Sequence, residues 1–169
     1  MKRTSIAGAG AAALFLLGAG IALPQSNIDP DAALAWGENI GWINLRPSSA
    51  DGVAVTADHL SGFAWGENVG WIWFGDGPEN GSFYTNDGTD HGVNNDGNGN
   101  LSGYAWGENI GWILFDTTSV GGSQVNINMT TGDFSGFAWG ENVGWINFGH
   151  DYGVRFLPET SVQDWTLLE

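Results

Sequence analysis

Four carboxylates recur in one setting: Glu38, Glu67, Glu108 and Glu141 each precede an asparagine (Asn39, Asn68, Asn109, Asn142) and lie between two tryptophans. Carboxylates beside indoles suggest sugar hydrolysis or sugar binding. A glycosidase needs two carboxyl groups in different environments, one protonated and one ionised, whereas four copies of one environment give four similar acidities. Catalysis is therefore the weakest reading, and a glycoside hydrolase stands behind the others. Repeated binding fits better: indole faces stack on sugar rings, Glu and Asn bond hydroxyls, and several weak sites gain by avidity. Trp42, Trp71, Trp112 and Trp145, the second indole of each pair, complete these candidate ligand sites. The competing reading is structural, with Glu and Asn tied to loop or neighbouring-copy backbone and the indoles in the core.

Metal chemistry has one foothold. Asp96, Asn98 and Asn100 place carboxylate and amide oxygens at alternate positions, as oxygen-rich calcium loops require. An EF-hand loop is not matched, because Leu101 stands where the sixth-position glycine belongs and Gly107 where the bidentate glutamate belongs. A plain turn explains the same residues; Ca²⁺ remains the one cofactor worth testing, with Asp76, Asp87 and Asp90 as helpers. His59, His91 and His150 fall in different repeat phases, which argues against a joint transition-metal site, and there is no cysteine.

The elements that position these residues are repeats. Ala64 to Ile72 returns at Ala35 to Ile43, Ala105 to Ile113 and Ala138 to Ile146, with only Ile and Val exchanging. In the second copy Ser61, Phe63 and Trp65 alternate with small residues, Gly66 to Gly70 intervenes, and alternation resumes through Phe74: a hairpin with Trp65 and Trp71 at its base. Hairpins are expected near residues 34–45, 60–74, 101–115 and 134–148. Burying eight indoles would contribute on the order of 40 kcal/mol of gross apolar burial, so a tryptophan-rich core is expected.

A further strand precedes three of the hairpins, at Val53 to Val55, Gly92-Val93 and Val125 to Ile127, making each unit a three-stranded meander. Asn27 to Leu34 reads as a short lead-in turned at Asp29-Pro30-Asp31, so the first hairpin lacks its strand. Tyr152 to Phe156 is a strand without a hairpin. The two deficits match: the C-terminal strand completes the first repeat and closes an all-β ring, a small propeller or barrel, with an open β-repeat stack as the alternative. An insertion at residues 75–91, polar and Gly-rich, reads as a surface loop on which a unique site could be grafted.

Lys2, Arg3 and the uncharged run Ile6 to Leu23 have the form of a secretory signal over residues 1–22, with Gly20 and Ala22 placed for cleavage. The repeat domain then covers residues 23–156 and a tail residues 157–169. Without the leader, Arg46 and Arg155 face 19 carboxylates, a formal charge of about −17. Nucleic acid and anionic membrane surfaces are excluded as partners, since phosphate binding needs clustered Lys and Arg. Leu157-Pro158-Glu159-Thr160 approaches a sortase signal, but Ser161 takes the glycine position and no apolar segment with a basic tail follows.

The run Leu101-Ser102-Gly103-Tyr104-Ala105-Trp106-Gly107-Glu108-Asn109-Ile110-Gly111-Trp112-Ile113 resembles the tandem repeats of secreted bacterial surface proteins that carry SGYAW, an Asn and GWI. The resemblance covers most of the chain after the leader. It implies an exported, repetitive surface protein and transfers no catalytic residue. The expectation is an exported structural or adhesive repeat protein of the cell surface or matrix, with a multivalent carbohydrate-binding module as the alternative. Its partners would be glycans or other copies of itself.

Overall fold

The computed structural model describes residues 25–149 and 151–158. The leader, His150 and most of the tail lie outside these residues. The chain is all-β, built of strands β1 (Ile28–Gly37), β2 (Gly41–Asn44), β3 (Val53–Val55), β4 (Leu60–Gly66), β5 (Gly70–Gly75), β6 (Val93–Asn95) and β7 (Leu101–Gly107). There follow β8 (Gly111–Leu114), β9 (Asn126–Ile127), β10 (Phe134–Ser135), β11 (Phe137–Gly140), β12 (Gly144–Asn147) and β13 (Val154–Phe156). Among the described residues no helix is long and apolar enough to cross a membrane.

The four hairpins, β1–β2, β4–β5, β7–β8 and β11–β12, pair side by side, and β12 returns to β1 through Trp36 opposite Asn147, closing an eight-stranded antiparallel barrel. Each hairpin turn is three residues long. Gly37 pairs with Gly41, the Ile40 amide bonds the Gly37 carbonyl at 3.3 Å, and Gly41 takes φ +77°, the left-handed residue that ends such loops.

A second ring lies below the first. β13 pairs with the start of β1 as β3 pairs with β4 and β6 with β7, so the C-terminal strand completes the first unit. The residue entering each hairpin bridges the outer strand of the next unit: His59 to Asn94, Asn100 to Asn126, Asp133 to Arg155. The fourth link is made by Asn27, whose side chain exchanges two 2.8 Å hydrogen bonds with the Val55 backbone while its carbonyl accepts from the Leu157 amide at 2.8 Å. The supposed lead-in is thus part of β1, with its pairing register shifting between Ile28 and Ala33, around Pro30 and the turn in which Asp29 Oδ1 accepts from the Asp31 amide at 2.9 Å.

The core overturns the tryptophan expectation. Inside the barrel lie Ala35, Ala64, Ala105 and Ala138 from the first strand of each hairpin, and Ile43, Ile72, Ile113 and Ile146 from the second. Ile40, Val69, Ile110 and Val143 fold inward from the turns, and Leu45, Phe74, Phe115 and Phe148 fill the space below. The interior of an eight-stranded barrel is just wide enough for side chains of this size. Alternation then sends every flanking tryptophan outward.

The 75–91 insertion lacks regular strands yet is anchored. Tyr84 is buried, donating to the Leu60 carbonyl at 3.0 Å and accepting from the Gly77 amide at 2.8 Å. Burial pushes its phenol up to about 12. A methyl group at either Gly75 or Gly92 would collide with that ring, which explains glycine at both positions.

Candidate functional site

The outer wall carries a belt of aromatic rings. In each hairpin the two indoles stand directly opposite and meet edge to face: Trp36–Trp42 at 4.7 Å, Trp65–Trp71 at 5.0 Å, Trp106–Trp112 at 4.7 Å and Trp139–Trp145 at 4.8 Å. Trp36, Trp65, Trp71, Trp106 and Trp112 are exposed, Trp71 at 48%, and Trp42, Trp139 and Trp145 are half-buried. The first indole of each pair also abuts the preceding hairpin, opposite Asn147, Asn44, Trp73 or Leu114.

A third ring joins each pair. Two residues before the first tryptophan, Phe63, Tyr104 and Phe137 approach Trp71, Trp112 and Trp145 at 6.2, 5.9 and 6.2 Å. Beside these rings open four shallow clefts, one per unit. Trp71, Phe63 and Asp51 line a cleft of about 290 Å³, and Trp112, Tyr104 and His91 one of about 360 Å³. Trp145 and Phe137 share about 460 Å³ with Gly122, Ser123 and the neighbouring unit's Glu38; Trp42 and Trp36 share about 350 Å³ with Asn147, Asp151 and Tyr152.

The equivalence is positional. Asp51, His91, Ser123 and Tyr152 each stand two residues before a valine, Val53, Val93 and Val154 opening β3, β6 and β13 and Val125 immediately preceding β9. The lip of each cleft therefore varies while its aromatic floor is kept. These lip residues were missed by sequence reasoning; aligning the units on that valine reveals them.

The repeated asparagines do something else. Asn68 Nδ2 donates to the Ile40 carbonyl at 3.0 Å, Asn109 to Val69 at 3.0 Å, Asn142 to Ile110 at 3.1 Å, and Asn39 to Val143 at 3.1 Å. Each hairpin loop is thereby tied to the previous one in a closed cycle around the barrel rim. The amide nitrogens are thus occupied in holding the loops together. Glu38, Glu67, Glu108 and Glu141 are exposed on the same loops, and Glu38 alone of the four lines one of the aromatic clefts just described.

Asp96, Asn98 and Asn100 do lie together, but as a turn. Asp96 accepts from the Asn98 and Asn100 amides at 2.8 and 3.0 Å and from Asn100 Nδ2 at 2.7 Å. The Asn100 side-chain bond, with the Asn98 amide behind it, holds the Asp96 carboxyl below its usual range. In the insertion, a cleft of about 510 Å³ is lined by Glu79, Asp87 and Asp90, yet Asp90 spends both oxygens on the Glu79 and Thr85 amides. Those bonds, Thr85 foremost, hold its carboxyl below the usual carboxylate range. Among the described residues no group of three acidic or histidine side chains is arranged to hold a metal ion.

Comparison with protein-family models, characterised proteins and solved structures returns no match. The functional reading therefore rests on the belt and its clefts.

Proposed function

We propose that this chain is an exported carbohydrate-binding module of the cell surface or matrix, taking neutral glycans on the aromatic clefts of its outer wall. The observation that carries the reading is the outward exposure of the paired indoles beside polar lips. Exposed apolar patches on a folded domain mark interaction sites, and aromatic rings edged by hydrogen-bonding groups match the alternating apolar faces and hydroxyl rims of pyranoses. The acidic surface favours neutral sugars over polyanions, and Asp51, Glu38 and Asp151 offer acceptors for hydroxyl protons.

Assembly of copies by strand addition is less favoured by this closed architecture than binding on the belt. The outer strands are engaged by neighbouring units, so little free edge is left for strand addition between copies. Association of copies through the belt itself is the second reading.

Tryptophan fluorescence titration against neutral polysaccharides tests the proposal. Saturable quenching that weakens in Trp71→Ala, with melting and circular dichroism showing that variant folded, is the expected result. Flat titrations together with concentration-dependent dimers in sedimentation would move the function to self-association.

A further inference from the structure

We propose that the module cross-links separate glycan chains instead of seating one chain along several subsites. The inference rests on the carbohydrate reading above and adds how the ligand is engaged. Its basis is barrel closure: each unit contributes two wall strands and one cleft, so the four clefts face outward about a quarter turn apart.

Strands pair about 5 Å apart, so neighbouring clefts are separated by about 10 Å of wall measured across the strands, and by more at the radius of the ring tips. The wall between them is convex. A stiff pyranose chain stacked on one indole leaves the surface along a tangent, and reaching the next cleft would require it to bend by about a right angle within a few sugar units. Opposite clefts, such as those of Trp71 and Trp145, face away from each other across the barrel. Four divergent weak sites on one rigid body cannot all serve one stiff chain, but they can join several, and a polymer network multiplies their effective affinity. The differing lips, Asp51, His91, Ser123 and Tyr152, adjust the strength of each cleft without changing the divergence.

The test uses the intact repeat protein with mixed-linkage β-glucan, xyloglucan and galactomannan, each as long polymer and as short oligosaccharide. Calorimetry with an oligosaccharide is expected to give more than one site per chain. Light scattering with the matching polymer is expected to rise, pass through a maximum and fall in protein excess, with oligosaccharide reversing it. The triple variant Trp42→Ala, Trp71→Ala, Trp112→Ala, leaving Trp145, should still bind oligosaccharide once yet produce no scattering. Its fold is checked by the exciton signal of the remaining pair. A single site in the native protein, or polymer binding without scattering, overturns cross-linking while leaving carbohydrate recognition intact. No binding of any probe removes both, and scattering from protein alone assigns the belt to self-association.

Discussion

Tyr152 stands over Trp42 with ring centroids 6.1 Å apart and planes at 86°, in the unit where Leu34 replaces the Phe63, Tyr104 or Phe137 of its counterparts. The third ring of that unit is delivered from the loop before β13 instead of from the hairpin strand. Such an exchange predicts compensation. Tyr152→Gly should cost roughly 0.5–1 kcal/mol, and adding Leu34→Phe should recover part of it, because aromatic pairs contribute about 0.5–1.5 kcal/mol beyond burial. Denaturant melts of both variants check this; a double variant less stable than the single one would show that the rings are not interchangeable.

The inside–outside assignment of β5 makes opposite forecasts for adjacent residues. Ile72 is 1% exposed and Trp71 48%. Ile72→Ala should destabilise by about 2–5 kcal/mol, whereas Trp71→Ala should cost about 1 kcal/mol despite deleting far more atoms. The far-ultraviolet circular dichroism should carry an exciton couplet from the crossed indoles, weakened by about a quarter in Trp71→Ala, since one of four pairs is lost.

The asparagine cycle can be tested by charge. Asn68→Ala removes the donor to the Ile40 carbonyl and should cost about 1–2 kcal/mol. Asn68→Asp keeps the shape but turns the donor into an anion facing that carbonyl, and should melt lower than the alanine variant above the carboxyl's titration range. Equal melting temperatures would show that the loops are held by packing alone.

Closure of the first unit depends on an ion pair with a defined pH range. Arg155 donates through Nε and Nη2 to Asp29 Oδ2 at 3.0 and 2.7 Å, joining β13 to β1. The Asp31 amide first, and Arg155 next, hold the Asp29 carboxyl below its ordinary value of 3.8. A lowered folded value means that the contribution is complete above 3.8 and disappears as pH falls through the lowered value. Asp29→Asn should therefore melt below the parent at neutral pH, and the gap should close in acid. A gap that persists in strong acid would assign the loss to packing.

The repeat, the hairpins and the closing strand were legible because matching sequence copies state their own register, and the missing outer strand of one unit has its complement at Val154 to Phe156. Which face pointed inward was not legible from alternation alone. Period-two patterning separates Ala64 and Ile72 from Trp65 and Trp71 without saying which set is enclosed, and both sets are apolar. Volume was the neglected signal: alanine beside every first tryptophan suits a narrow interior, and eight indoles do not. Tyr84 and the lip residues escaped because each acts once, through contacts distant in sequence, where repetition gives no help.

Ring closure also makes the number of repeats a discrete quantity. Solenoid proteins lengthen by duplicating a unit, since an added copy meets the same neighbours as the old ones. Here a duplicated or deleted unit changes the strand count and therefore the bore that Ala and Ile fill. Variation within this architecture is confined to the residues that edge each unit, so diversification proceeds by substitution at fixed copy number.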